Sequence, residues 1–335
     1  MTKKVTMAQI AAKAGISQPT VSLVLNGNTD ARISESTRRR VIEVARELGY
    51  RKAVVHFGSD QLRVALILDG SIITHDHFVQ ALNEAAVRAN ELDLSLCILD
   101  ALQDKAGRRR VQDEVNSGHY AGAIIATNVT CGIDFSYELR CPCVYLNCVP
   151  ENDIEVTAVL PDDYATLHRL AGELLEKYRR PCIIAGDAWM SATTKRIRAI
   201  ARAAFEQGIE IGNDSVYYTS WSFKLAYEAV RKVMTRPEPE RPDILFCASD
   251  YLAAAAYQAV YVCGLKIPGD VAVCGYDNQS LSEELTPTLT TVDLPYDEMG
   301  AMAVDLIYRK ITKPDEQPKQ NLIRVKGEIF RRESA

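Results

Sequence analysis

Short polar side chains recur in this chain at the ends of apolar runs. Asp69 follows Val64–Leu68, Asn147 closes the run from Val144, Ser249 and Asp250 follow Phe246-Cys247, and Asp277 and Asn278 follow Val273–Tyr276. A carboxylate accepts hydrogen bonds, an amide both donates and accepts, and a hydroxyl does either. Such groups are suited to holding a small polar ligand. Each is also what a helix cap or a turn requires, and Asp250 could cap the segment opening at Tyr251. Capping explains their recurrence at several run ends poorly. A second polar set lies near the N-terminus. Gln18, Pro19, Ser22, Leu23 and Asn26 share one side of a helical spacing, with Val21, Val24 and Leu25 on the other. Small groups of this kind can enter a groove of nucleic acid, where base edges are read.

The elements that position the second set are three short helices. Thr6 is an N-cap, followed by Met7, Ile10, Ala11 and Ala14 at helical spacing. Gly15 breaks the pattern, where a left-handed residue is cheapest. Ser17 caps a second helix, with Pro19 tolerated in its first turn. Ser34 caps a third, whose stripe is Val41, Val44, Ala45 and Leu48, and the chain leaves it at Gly49-Tyr50. A tight turn between two such helices is the layout of a helix-turn-helix. A plain three-helix packing module shares the pattern, but charge separates the two. Residues 1–60 carry ten basic and five acidic side chains, net +5, against 39 and 44 in the whole chain, so the remainder is net −10. A basic head on an acidic body points to a head that alone approaches phosphates.

The elements behind the first set alternate. Apolar runs at 64–68, 94–99, 122–126, 144–147, 182–185, 244–247 and 271–274 read as strands. Amphipathic stretches at 78–92, 163–178, 194–207, 222–233 and 251–262 read as helices. This alternation predicts parallel sheets covered on both faces. The strands are too many for one comfortable sheet, so the fold class is an all-α helix-turn-helix head joined to an α/β body of two doubly wound lobes with a cleft between them. Ligands of such lobes sit outside the carboxyl ends of the strands.

The 335 residues, 47% hydrophobic and 25% charged, suffice for two or three domains with buried cores. Nine cysteines lie mostly in apolar runs without C-x-x-C spacing, which reads as reduced, mostly buried thiols. The N-terminal segment lacks a signal-peptide pattern and no run has the length of a membrane span, so a cytoplasmic protein with no membrane partner is expected. The nearest metal-like spacing, His75-x-His77, falls in a loop, and no metal or cofactor is assigned. Neither G-x-G-x-x-G, G-x-x-x-x-G-K-[ST] nor G-x-S-x-G occurs, which weighs against an enzyme on a doubly wound fold. A pure solute-binding receptor would have no use for the head.

The chain resembles the LacI/GalR family of bacterial transcription regulators over nearly its whole length. The resemblance rests on V-T-M-A-Q-I-A-A-K-A-G-I-S-Q-P-T-V-S-L-V-L-N at 5–26, I-S-E-S-T-R-R-R-V at 33–41 and E-L-G-Y at 47–50. In the body it rests on W-S-F-K-L-A-Y-E-A at 221–229, F-C-A-S-D at 246–250, V-A-V-C-G-Y-D at 271–277, L-T-P-T-L-T-T-V at 285–292 and G-A-M-A-V-D-L-I at 300–307. It implies a homodimer, or a dimer of dimers, whose second helices read a near-palindromic double-stranded operator. It also implies a periplasmic-binding-protein-like body that binds a small effector between its lobes, most often for release of a repressor from DNA.

Residue by residue, the resemblance puts Gln18, Pro19 and Leu23 at base-reading positions, and Thr20, Ser22, Asn26 and Ser34 at backbone-contacting ones. Thr6 and Ser17, the caps of the first two helices, belong to the same DNA-facing set. In the cleft, Arg196 and Asp277 match effector-binding positions, Trp221 an aromatic that packs on the ligand, and Asn147 and Ser249 polar ligand positions. Phe78 lies near an aromatic that closes the first lobe, and Asp69 and Asp250 complete the strand-end set. Arg196 could instead be a solvated charge beside Lys195 and Arg198, and Trp221 ordinary core. A hexose or a disaccharide such as sucrose fits these groups; a purine or nucleoside is the alternative effector. The hinge departs from the family: Lys52-Ala53 replace Pro-Asn, His56-Phe57 replace Ala-Arg, and Ser59 stands at the intercalating leucine. Phe57 is the large apolar side chain available there as a wedge. The expected division is a head at 1–52, a hinge at 53–63 and a body at 64–335, with a first lobe over about 64–162 and 293–322 and a second over about 163–292 and 323–335.

Overall fold

A computed structural model describes residues 6–25, 33–47, 61–69, 76–102, 104–151, 155–316 and 322–335. Asn26, Phe57 and nearly all of the expected hinge lie outside these residues, as does His75.

The head is α1 (Met7–Ala14), α2 (Gln18–Leu25) and α3 (Glu35–Glu47). Thr6 and Gln9 form a reciprocal capping box, and Gly15 ends α1 at φ 71°. The Ser17 hydroxyl accepts from the Thr20 amide at 3.3 Å and the Ser34 hydroxyl from the Thr37 amide at 3.2 Å, so both expected caps form. Ile10, Ala14, Val21, Val24, Val41, Val44 and Ala45 make a core of the head's own.

The first sheet of the body contains β1 (Leu62–Leu68), β2 (Leu94–Asp100), β3 (Gly122–Ile133), β4 (Cys143–Pro150) and β5 (Ala158–Pro161), with α4 (Asp76–Glu91) and α5 (Lys105–Val115) between strands. The chain then crosses to a second sheet through α6 (Ala165–Lys177). That sheet contains β6 (Pro181–Ala185), β7 (Val216–Tyr218), β8 (Ile244–Cys247) and β9 (Ala272–Cys274), with α7 (Ser191–Glu206), α8 (Phe223–Met234) and α9 (Asp250–Val262) between strands. A short helix α10 (Leu281–Glu284) and strand β10 (Thr291–Val292) lead back to α11 (Tyr296–Thr312) on the first lobe. Strand β11 (Leu322–Val325) joins the first sheet, and β12 (Ile329–Phe330) pairs antiparallel with β10.

The strand orders are β11-β5-β4-β3-β1-β2 and β7-β6-β8-β9, with parallel pairing throughout both sheets. Two expected boundaries move. Leu62 and Arg63 already pair with Leu94 and Ser95, so the body opens two residues before Val64. All four residues of β11 pair with β5, so the last crossing follows Val325 rather than residue 322. Helices α4 and α11 pack closely because Gly300 has no side chain: a Cβ there would stand 2.2 Å from the Ala81 carbonyl oxygen.

All nine cysteines are free; four are buried and five partly buried. Burial pushes the Cys141 thiol up to about 11 and the Cys182 thiol up to about 12, which makes them poor nucleophiles. Among the described residues, no helix is long and apolar enough to cross a membrane, and no His/Cys/Asp/Glu group is placed to hold a metal ion.

Candidate functional site

Two sites emerge, one in each part of the chain. On α2, Val21 and Val24 are buried while Gln18, Pro19 and Leu23 are exposed, with Thr20 and Ser22 half-buried. The helix thus buries its stiff β-branched residues in the head's core and presents the other face outward. Thr6, Ser17 and Ser34 are exposed at the starts of the three helices, where unpaired backbone N–H groups favour anions.

The second site is the cleft where the carboxyl ends of β6, β8 and β9 face an irregular segment of β3 and the start of α11. Register between β3 and β4 shifts between Ala126 and Cys131. The extra residues bring Asn128, Val129 and Thr130 into the cleft wall, opposite Arg196, Trp221, Ser249 and Asp277. The cavity between these walls is small, ≈ 40 Å³.

Arg196 is the hub. It is only 4% exposed, and its side chain runs from α7 between two carboxylates. Its Nε and Nη2 donate to Asp163 Oδ1 at 3.0 and 2.9 Å, and its Nη1 donates to the Ala248 carbonyl at 2.5 Å and to Asp277 Oδ1 at 3.4 Å. The guanidinium lies 3.6 Å from the centre of the Tyr276 ring. Burial works against its charge, but Asp163, Tyr276 and Asp277 outweigh burial and hold its pKa above the ordinary arginine value. The solvated-charge reading of Arg196 is therefore excluded.

Trp221 forms the facing wall. Ser220 and Trp221 both take left-handed backbone, at φ 48° and 56°. The indole rests on Gly186, where a Cβ would stand 2.1 Å from its ring, and its N–H points at Met190 Sδ at 3.0 Å. Ser249 caps α9 by accepting from the Leu252 amide at 3.2 Å, and it also lines the cavity.

Asp250 is not the cap and does not line the cavity. It is a fully buried latch beneath it. Its Oδ2 accepts from the Gln279 amide at 2.7 Å and its Oδ1 from the Thr291 hydroxyl at 2.6 Å. This holds the turn in which Asp277 and Asn278 sit at φ 110° and 50°. Burial, with Asp277 nearby, raises the Asp250 pKa well above the usual carboxylate range.

Asn147, at φ 63° and fully buried, also stands behind the cavity wall. Its amide donates to the Thr127 carbonyl at 3.0 Å and to the Tyr296 hydroxyl at 2.8 Å, while its oxygen accepts from the Thr130 hydroxyl at 2.6 Å. Phe78 meets Tyr296 edge-on, with ring centroids 5.6 Å apart. Asn147 and Phe78 thus orient Tyr296 and Thr130, which do line the cavity. Asp69 lies elsewhere in the first lobe, accepting from Arg108 at 3.0 Å and from the Tyr137 hydroxyl at 2.9 Å.

The structure therefore brings Arg196, Trp221, Ser249 and Asp277 together on one cavity, and places Asn147, Phe78 and Asp250 behind it and Asp69 outside it. Sequence reasoning missed Asp163, Tyr251, Gln279 and Tyr296. Asp163 reads in the sequence only as the start of the helical stretch 163–178, because no strand is read before it. In fact Pro161 closes β5, a strand with neighbours on both sides.

Asn147→Ala should lower stability by about 1–3 kcal/mol, because three buried partners on β3 and α11 lose their hydrogen bonds. Urea unfolding checks this, and an unchanged midpoint would remove Asn147 from the network.

Comparison with known proteins fits both sites. The profile for bacterial regulatory proteins of the lacI family matches residues 6–52, and that for periplasmic binding protein-like domains matches residues 173–335. The chain is 29% identical over 307 residues to the HTH-type transcriptional regulator DegA of Bacillus subtilis, covering 89% of each chain. It is 26% identical over 326 residues to the ribose operon repressor of Escherichia coli, covering 94% of this chain and 96% of that one. Its fold matches that of a CelR–cellobiose complex at TM-score 0.71 and 25% identity, covering 99% and 100% of the two chains. It also matches the fold of a lac repressor dimer bound to operator and the anti-inducer ONPF at TM-score 0.69 and 18% identity, covering 99% of each. The chain thus joins a lacI-family DNA-binding domain to a periplasmic-binding-protein-like domain, and the relatives it is similar to are LacI-family transcriptional regulators.

Proposed function

We propose that the chain is a repressor that binds a near-palindromic operator as a dimer and is released by a small sugar held in the cleft. The observation that carries the reading is the half-open cavity at Arg196, which both lobes wall: Thr130 and Tyr296 face Arg196, Trp221 and Asp277. Its volume of ≈ 40 Å³ leaves room for a few water molecules. A sugar is larger than this and enters as the walls move apart. The Ser191 hydroxyl on α7 donates to the Thr130 carbonyl on β3 at 3.0 Å, so parting the walls strains a bond between the lobes. Ligand binding and lobe geometry are coupled on this account, and lobe geometry sets the spacing of two heads.

Asp277 offers a carboxylate to ligand hydroxyls, Arg196 the guanidinium N–H not already bonded to Asp163, Ala248 or Asp277, and Trp221 a plate for the C–H face of a sugar ring. The ribose and cellobiose in the names of two relatives point to the same ligand class. Trp221 and Tyr251 would also stack a purine, so nucleosides belong in the same ligand screen. Dimerisation is assigned to the first lobe around residues 64–92, and light scattering of a monomer with full operator affinity would contradict it.

The DNA half of the proposal is tested at α2. With a selected operator, Gln18→Ala and Leu23→Ala should each lose about 1–3 kcal/mol of binding while affinity for scrambled DNA barely changes. Equal losses on both DNAs would mean that α2 does not read sequence.

A further inference from the structure

We propose that the cleft selects an uncharged or cationic ligand and rejects anionic ones, and that Asp163 sets this preference. The inference rests on the reading of the cleft as an effector site and adds the charge class of the effector.

Arg196 looks at first like a binder of phosphate or carboxylate, since that is what a guanidinium fork recognises best. In this structure the fork is already taken. Asp163 Oδ1 occupies Nε and Nη2 at 3.0 and 2.9 Å, and Asp277 Oδ1 faces Nη1 at 3.4 Å. One buried cation thus stands between two buried carboxylates, whose side chains are at most 4% exposed. Among the described residues, Arg196 and Asp277 are the charged side chains on the cavity wall, beside neutral groups such as Thr130, Ser249 and Tyr296. Asp250 lies near Asp277 and adds no positive charge. Lys195 lies near Asp163, Asp162 and Arg324, and none of these four lines the cavity.

Asp163 also has an oxygen to spare. Its Oδ2 is buried without a hydrogen-bond partner, as is the Thr193 hydroxyl one turn before Arg196 on α7. A buried carboxylate oxygen left open favours a hydrogen-bond donor or a positive charge nearby and opposes a further anion. A phosphate or carboxylate on the ligand would have to displace Asp277 from Arg196 and then remain beside both carboxylates. A hydroxyl can donate to Asp277 while accepting from Arg196, and an ammonium group meets a cluster of one positive and two negative side chains.

The test uses the full chain and matched probes in isothermal titration calorimetry. Ribose, glucose, cellobiose and adenosine are the neutral probes. Ribose 5-phosphate, glucose 6-phosphate, glucuronate and adenosine monophosphate are their anionic counterparts, and glucosamine is the cationic one. At least one neutral probe should bind, with its anionic counterpart at least about tenfold weaker, about 1.4 kcal/mol, and glucosamine no weaker than glucose. In Asp163→Asn, which keeps an oxygen for Arg196 and removes the charge, the gap between neutral and anionic probes should narrow. An anionic probe that binds as tightly as its neutral parent to the unmodified chain would overturn the charge preference while leaving the effector site standing. A gap unchanged in a folded Asp163→Asn protein would take the preference away from Asp163. Binding of no probe, charged or neutral, would overturn the effector reading and the preference together.

Discussion

Arg196→Ala should unfold more easily than the parent protein as well as lose its response to ligand. A surface arginine at a binding site would cost affinity alone. Arg196 is instead the buried counter-ion of the buried Asp163 and Asp277. Deleting one partner of a buried ion pair leaves the other charge uncompensated, at a cost of about 3–5 kcal/mol. The stacking on Tyr276 and the bond to the Ala248 carbonyl are lost with it. Urea unfolding of the variant measures the cost, and operator titration with ligand measures the lost response. Arg196→Lys should recover part of the stability and little of the response, because an ammonium cannot bridge Asp163 and Asp277 as a planar fork does. A variant as stable as the parent would show that Arg196 acts on the ligand alone.

Asp250→Ala should remove ligand binding without touching the ligand. Its two oxygens hold the Gln279 amide and the Thr291 hydroxyl, and through them the left-handed turn that aims Asp277 into the cleft. Two buried donors left unpaired cost about 1–3 kcal/mol each, and the strained turn then loses its anchor. Gly275→Ala should have a similar effect from the other side, because its Cβ would stand 2.2 Å from Asp250 Oδ1 and 2.8 Å from Leu289 Cδ2. Thr291→Val, which removes one of the two bonds, should lie between the parent and Asp250→Ala in both melting temperature and ligand affinity. If Asp250→Ala binds ligand as the parent does, the turn holds without its latch.

Much of this architecture was legible in the residues. The three head helices announce themselves through Thr6, Gly15, Ser17 and Ser34, each a local signal with a local cause. The buried strands read as apolar runs because a parallel sheet covered on both faces has no polar side to show. Some short elements were not legible. Strands β7, β10 and β12, of two or three residues, carry too few side chains for a period, and they form because neighbours already in place offer a ladder. The same limit explains the site. The polar side chains that follow apolar runs pointed to Ser249 and Asp277, and the family resemblance to Arg196 and Trp221. Residue type could not separate Asp277, aimed into the cleft, from Asp250 behind it or Asp69 apart from it. All three are aspartates after apolar runs. Their roles are decided by long-range partners: Arg196 for the first, Gln279 and Thr291 for the second, Arg108 and Tyr137 for the third.

The central claim is that a ligand in the cleft controls the grip of the head on DNA. Fluorescence anisotropy of a labelled operator, selected with the full chain and titrated at fixed salt with and without a saturating cleft ligand, tests it most directly. Operator affinity should fall at least about tenfold with ligand, a coupling of about 1.4 kcal/mol, and half of the fall should occur near the ligand's own dissociation constant. In Asp277→Ala the operator should stay bound at every ligand concentration. Equal operator affinity with an empty and a saturated cleft would contradict the account, whatever the ligand proves to be.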